Sequence, residues 1–193
     1  MKKVGITGGI GSGKTLVSGL FERLGIPVYH ADERARELME TSATIRERLT
    51  ALMGPEVYEG RRLNRQRLAG ALFSDDTLRQ KVNSIVHPVV FEDFEAWASS
   101  FSGRPYVMQE AAIIFESGGD RYLDSVINVY APRRVRIERV MKRDGVSRGD
   151  VLARIRSQMS ERQRQRRAGH TIVNDGRRMV VPQVIKVHEE LTA

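Results

Sequence analysis

The chain is 193 residues long and contains no cysteine. That length suits one domain, with or without insertions, and can bury a core without disulfide or metal staples. Disulfides, thiolate metal sites and a cysteine nucleophile are excluded. The formal net charge is +8, which serves solubility and also points to an anionic partner. The excess is local, because residues 133–167 carry 13 basic and 4 acidic side chains. Such a stretch suits a polyphosphate or a nucleic acid.

Lys2 and Lys3 look like the basic start of a signal peptide, but Val4 to Gly9 is too short and glycine-rich for its apolar segment. No run of about 18 apolar residues occurs, so a soluble, cytoplasmic protein with no membrane span is expected. Val4 to Thr7 reads as a strand. A glycine loop follows, then a helix from Thr15 to Leu24 with apolar residues at 16, 17, 20, 21 and 24. Gly25 suits the position just past that helix, and Ile26 to Tyr29 reads as a second strand. Arg34 to Met53 has apolar or small residues at 35, 38, 39, 45, 49 and 52 and reads as one helix ended by Gly54-Pro55. Leu63 to Phe73 and Asp76 to Ser99 read as further helices, with Pro88 as a kink or break. Tyr106 to Gln109 and Asp124 to Ala131 are strands. Arg133 to Lys142 is a helix with Val135, Ile137 and Val140 toward the core. Val151 to Ala168 forms one or two arginine-rich helices. Thr171 to Val173 is a last strand, and Met179 to Leu191 a closing helix. The alternation of strand and helix predicts an α/β fold with a parallel sheet. The helical block after Asp32 is too long for a simple crossover and reads as an inserted substrate-binding region.

Gly8-Gly9-Ile10-Gly11-Ser12-Gly13-Lys14-Thr15 matches the P-loop pattern G-x-x-x-x-G-K-[ST] in full. Glycines permit backbone angles that let successive N–H groups converge on phosphate oxygens. Lys14 supplies a point charge for the β- and γ-phosphates, and the Thr15 hydroxyl suits Mg²⁺. The loop opens the first helix, whose N-terminus favours anions; Leu16 continues that turn. A nucleoside triphosphate is therefore expected, with Gly9 to Leu16 around it. The motif alone does not say what is done with the triphosphate. No N-K-x-D guanine-reading motif is present, which argues against a GTPase. A short α/β chain with a P-loop, a helical insertion and late arginines fits a small-molecule kinase, in which arginines stabilise the transferred phosphoryl group.

Other residues stand out by chemistry. Asp32 lies just past the second strand, where it would share a sheet edge with the P-loop and accept a hydroxyl proton or help hold Mg²⁺; capping the next helix is its alternative role. His87, beside Pro88, has apolar neighbours and reads by itself as a core histidine. Phe115 likewise reads as core. Arg139 and Arg143 share a helix face, as do Arg154 and Gln158. At least one of these arginines is expected on the triphosphate. Asn174-Asp175-Gly176 follows the last strand and is good turn chemistry, at an edge where an adenine is readable by backbone groups. No histidines pair at zinc spacing.

Several segments, in order, resemble the dephospho-CoA kinase family. Ile6 to Thr15 is similar to its opening, and Leu24-Gly25-Ile26-Pro27-Val28 with His30-Ala31-Asp32 to its LG-x-x-V-x-D-A-D segment. Ile85-Val86-His87-Pro88 resembles its L-x-HP element, and Ala112-Ile113-Ile114-Phe115-Glu116 its PLLFE segment. Arg139 to Asp144, with Arg154 and Gln158, resembles its lid, and Val173 to Gly176 its I-x-N-x-G. The resemblance covers nearly the whole chain.

It implies a P-loop NTPase three-layer α/β/α fold. The core would be 1–32, 103–143 and 169–193, with an acceptor-binding helical insertion at about 33–102 and a lid at about 144–168. It implies ATP-dependent phosphorylation of the ribose 3′-hydroxyl of dephospho-CoA, the last step of coenzyme A biosynthesis, with Mg²⁺. Asp32, Lys14 and Arg139 would be catalytic. Arg139, Arg143, Asn174 and Gly176 would join the P-loop on ATP. Asp32, His87, Ile114, Phe115, Glu116, Arg154 and Gln158 would meet dephospho-CoA. Thr15 would hold Mg²⁺, with Asp32 or Glu110 as a further ligand. His30 stands where the family has an Asp, Ala112 where it has a proline, and Glu110 replaces an upstream Asp. His30 is open between substrate contact and spacer. The expected partners are ATP and dephospho-CoA, with no nucleic acid or membrane, in a monomer or weak homo-oligomer. A nucleoside or nucleoside-monophosphate kinase is the alternative, and a nucleic-acid-binding P-loop protein a third reading.

Overall fold

The computed structural model describes residues 1–193, with all side chains except those of Phe73 and Ser74. The chain forms two compact units, Met1–His30 with Ser100–Ala193, and Ala31–Ser99. In chain order come β1 (Lys2–Thr7), α1 (Lys14–Arg23), β2 (Val28–His30), α2 (Ala31–Thr41), α3 (Ala43–Met53), β3 (Tyr58–Glu59), β4 (Arg62–Leu63), α4 (Arg65–Ser74) and α5 (Asp76–Ser99). Then follow β5 (Tyr106–Glu110), β6 (Ser125–Tyr130), α6 (Arg133–Asp144), α7 (Arg148–Arg156), α8 (Glu161–Arg167), β7 (His170–Val173) and α9 (Val180–Thr192).

The first unit is built on a parallel sheet in the order β2-β5-β1-β6-β7. Strand alternation assigns its two faces. Val4, Ile6, Met108, Ile127 and Ile172 pack with Val17 and Phe21 of α1 and with Val184, Val187 and Leu191 of α9. The opposite face holds Gly5, Val126 and Asn128. A Cβ on Gly5 would lie 2.7 Å from Leu123 and 2.8 Å from Ile114, so the 111–123 segment presses on the strand there. Glu161 at the start of α8 reaches Asn128 on the same face. Helices thus cover both faces in the three-layer P-loop α/β/α arrangement. Because the strands are parallel, the residues after β1, β2, β5, β6 and β7 all emerge at one edge.

The second unit is helical. Along α5, Val82, Val86, Val90, Phe94 and Ala98 recur every fourth residue as a buried stripe. Arg34 of α2 forks onto Asp93 of α5, with its Nε and Nη2 donating at 3.0 and 2.7 Å. The expected single helix over 34–53 is split. Ser42 leaves helical geometry and accepts a hydrogen bond from the Ile45 amide, so α3 starts with its own cap. The helix expected from Leu63 starts at Arg65, because Leu63 pairs with Tyr58 in a hairpin and Asn64 caps α4. The helix α5 continues through Pro88. Among the described residues no helix is long and apolar enough to cross a membrane.

Candidate active site

The P-loop links the end of β1 to the start of α1. Gly13 has φ 91° and stands immediately before α1, in the left-handed region that glycine tolerates. Thr15 and Leu16 are exposed in the first turn of α1, where the helix N-terminus presents free N–H groups to an anion.

Groups from other elements brace this loop. Asn174, just past β7, is buried and its Nδ2 donates to the Ser12 carbonyl at 2.8 Å. Arg139 of α6 donates from Nη1 to the Asn174 carbonyl at 3.1 Å and the Ser12 carbonyl at 3.4 Å. Gln158 accepts from the Ile10 amide at 2.9 Å. Arg136 of α6 donates from Nε to the Ile10 carbonyl at 2.8 Å. Burial, and then the neighbouring Arg164, work against the Arg136 charge and push its pKa down.

Lys14 pairs with Glu110, the last residue of β5. The other Glu110 oxygen lies 2.8 Å from His30 Nδ1. The β2–β5 register sets His30 directly opposite Glu110. His30 Nε2 lies 3.2 Å from Glu22. Burial acts to lower the His30 pKa, but the Glu110 and Glu22 carboxylates raise it above the ordinary histidine value. Burial likewise opposes the Glu110 charge, yet Lys14 and His30 hold its carboxyl below the usual glutamate range. The residue that sequence left open thus has a definite structural part, holding the carboxylate that holds Lys14.

The remaining sequence-picked residues divide into groups. Ile114 and Phe115 are buried with Val126, and the Arg167 guanidinium lies 4.7 Å above the Phe115 ring. Glu116 accepts from the Met159 amide at 2.9 Å. Arg143 donates to Asp144 at 2.7 and 3.2 Å, and Arg154 donates to the same carboxylate at 3.0 Å. Arg143, expected on ATP, and Arg154, expected on dephospho-CoA, are therefore both drawn to Asp144, whereas Arg139 is held at the P-loop. The Arg143 hydrogen bond is the main reason the Asp144 pKa is depressed. Gly176 has φ 81°, in a turn where Asp175 accepts from the Arg177 and Arg178 amides at 2.8 and 2.9 Å. In the second unit, α2 begins at Ala31, so Asp32 lies inside the first turn rather than at the cap, where the helix dipole still favours a carboxylate. His87 of α5 is half-buried, and burial lowers its pKa, which favours the neutral ring.

The donor set fits magnesium that arrives with phosphates. Thr15 and Glu110 offer hard oxygens, and Mg²⁺ commonly takes one or two protein oxygens beside phosphates and water. The described residues contain no cluster of three or more His, Cys, Asp or Glu able to form a protein-only cage.

Sequence reasoning missed Arg136, Asn128, Glu161 and Arg164, which lie together behind the loop. One signal was available: Arg136 and the core residue Val140 are four apart, on one face of α6.

A family model described as Dephospho-CoA kinase matches residues 2–179. A dephospho-CoA kinase of Porphyromonas gingivalis is 44% identical over 190 residues, spanning 98% of this chain and 94% of that one. One from Bacteroides fragilis is 43% identical over 185 residues, spanning 96% and 90%. Among solved structures, TT1252 from Thermus thermophilus superposes with a TM-score of 0.87 at 37% identity, covering 100% of this chain and 98% of that one.

Proposed function

The chain belongs to the dephospho-CoA kinase family, and from that premise we propose that it transfers the γ-phosphoryl group of ATP to the ribose 3′-hydroxyl of dephospho-CoA, giving CoA and ADP. The observation that carries the reading is the Lys14–Glu110–His30 chain at the P-loop mouth. It keeps an ammonium charge at the place where a γ-phosphate would lie.

The P-loop amides and Lys14 bind the triphosphate. Incoming phosphate oxygens compete with Glu110 for Lys14, and the exchange frees one Glu110 oxygen. Magnesium, held by Thr15 and by Asp32 or Glu110, would neutralise phosphate charge. Asp32 accepts the 3′-hydroxyl proton as the new O–P bond forms and the bond to the ADP oxygen breaks. Arg139, or Arg143 and Arg154 after leaving Asp144, steady the charge on the transferred group. His87 of the helical insertion, and Ile114, Phe115 and Glu116, are the residues that this reading gives to the acceptor. Support for a polyphosphate rather than a nucleic acid comes from the basic stretch itself. Its Arg136, Arg139, Arg154, Arg164 and Arg167 are engaged with other groups of the chain. A cytoplasmic location and a monomer or weak homo-oligomer belong to the same reading.

The test is ADP release with dephospho-CoA against a panel of nucleosides and nucleoside monophosphates. Turnover should require dephospho-CoA and collapse in Lys14→Ala; a folded protein that prefers a nucleoside acceptor would overturn the assignment. Asp32→Asn should keep ATP binding while turnover drops roughly 10²–10⁴-fold, the range of general acid–base groups. Simultaneous loss of ATP binding would make Asp32 a metal or structural residue instead.

A further inference from the structure

Behind the P-loop sit two buried arginines and a half-buried carboxylate that the proposed chemistry does not use. Arg136 is 4% exposed and Arg164 is 1% exposed. Between them lies Glu161, which accepts from Arg164 Nη2 at 2.8 Å and stands 3.6 Å from Arg136 Nη1. Its other oxygen accepts from Asn128 Nδ2 at 2.7 Å. Two guanidiniums share one carboxylate, so the set carries one uncompensated positive charge. Buried charges without a partner are costly, and here the surplus has a direction. Arg136 Nη2 is buried with no hydrogen-bond partner. It lies against Gly9, where an added Cβ would stand 2.3 Å away.

We infer that Arg136 is a positioning residue for the triphosphate: it fixes the Ile10 carbonyl from behind the loop and lends the anion site the surplus charge of the Arg136–Glu161–Arg164 set, without touching phosphate. A cation in a poorly solvated place acts over several ångströms, because little water screens it. The empty protein carries the cost of the unbalanced charge. Binding a polyanion in front of the loop relieves it, and the relief appears as affinity. Replacing Arg136 by methionine leaves Glu161 and Arg164 as a balanced pair, so it removes the surplus without orphaning the carboxylate. Glycine at position 9 follows from the same packing, because a side chain there would collide with the guanidinium.

The inference rests on the triphosphate site of the proposed function but not on its acceptor. The probe is therefore inorganic tripolyphosphate, measured by calorimetry on the full chain, with ATP in parallel. Arg136→Met should bind both about tenfold or more weakly, as expected from losing one nearby buried charge. Its melting midpoint without ligand should stay level or rise. Arg136→Lys should recover most of the affinity, since it keeps the charge. Glu161→Gln should do the reverse, lowering the ligand-free midpoint while tightening tripolyphosphate binding. A lowered midpoint with unchanged affinity in Arg136→Met would reduce Arg136 to a structural strut. Should that variant not fold, weaker or equal tripolyphosphate binding by folded Glu161→Gln overturns the electrostatic account. Tripolyphosphate binding by the parent chain, with no turnover of dephospho-CoA, would fault the acceptor assignment and leave this inference standing.

Discussion

The P-loop and the α6–α7 corner are both rich in donors for phosphate, yet they are held in opposite ways. Buried and half-buried groups from distant parts of the chain brace the loop: Asn174 and Arg139 on Ser12, Arg136 and Gln158 on Ile10. The corner is held by Arg143 and Arg154 sharing the exposed-side carboxylate Asp144. Bonds to buried polar groups are expensive to lose, whereas exposed ion pairs contribute little and are screened by salt. The loop is thus shaped before substrate arrives, and the corner is free to trade partners when it does. Preorganisation at the phosphates costs no rearrangement during the reaction. In the proposed reaction, arginines that can change partners would admit ATP and release ADP.

The largest effect should come from disturbing the braced side. In Gly13→Ala the new Cβ would stand 2.2 Å from Asn174 Nδ2, at a backbone angle unsuited to alanine. The strain should cost about 1–3 kcal/mol, and the displaced loop should lose roughly 100-fold or more in turnover. A melting curve with an ADP-release assay measures both. Parent-like kcat and KM would mean that the loop is shaped by ATP rather than by its surroundings. Next comes Asn174→Ala, which strips the buried Ser12 carbonyl of a donor and leaves Arg139 with fewer anchors. We expect a loss of about 1–3 kcal/mol in stability and a higher KM for ATP with a smaller change in kcat. An unchanged KM would assign Asn174 to the fold alone.

How much of this contrast could be read from sequence depends on how local its causes are. The P-loop was legible because its geometry is written into consecutive residues. The strands β1, β5, β6 and β7 were legible because buried parallel strands are short apolar runs between turn residues. Ser42 escaped notice because helix formers and apolar spacing continue on both sides of it. Its extended backbone and the cap bond it accepts from the Ile45 amide show the break. The two-residue strands at Tyr58 and Arg62 are too short to have a period. The starts of α7 and α8 were written in local code, Ser147-x-x-Asp150 and Ser160-x-x-Gln163, as capping boxes. The expected start at Val151 came from apolar residues and passed over them. His30 and Arg136 were hidden for a different reason. The part His30 plays depends on a strand register that sets it opposite Glu110. Arg136 looks like any cation of a basic helix until Ile10 and Glu161 fold against it. Long-range pairing of this kind leaves no periodic trace.

The smallest expected effect probes the loosely held side. Asp144→Asn removes the charge that both arginines share, but it leaves α6 its glycine cap at Gly145 and α7 its own capping box at Ser147. The melting midpoint should therefore scarcely move. Arg143 and Arg154 would lose their competing carboxylate and meet phosphate more readily. The KM for ATP should fall on the order of twofold to threefold, a change well under the 1.4 kcal/mol of a tenfold effect. The difference should fade as salt is raised, because salt weakens exposed charge pairs in the parent chain too. A KM that rises tenfold instead would show Asp144 holding the two guanidiniums ready in their working positions. The corner would then be as preorganised as the loop, and the division between a braced donor site and a partner-trading corner would fail at its weaker end.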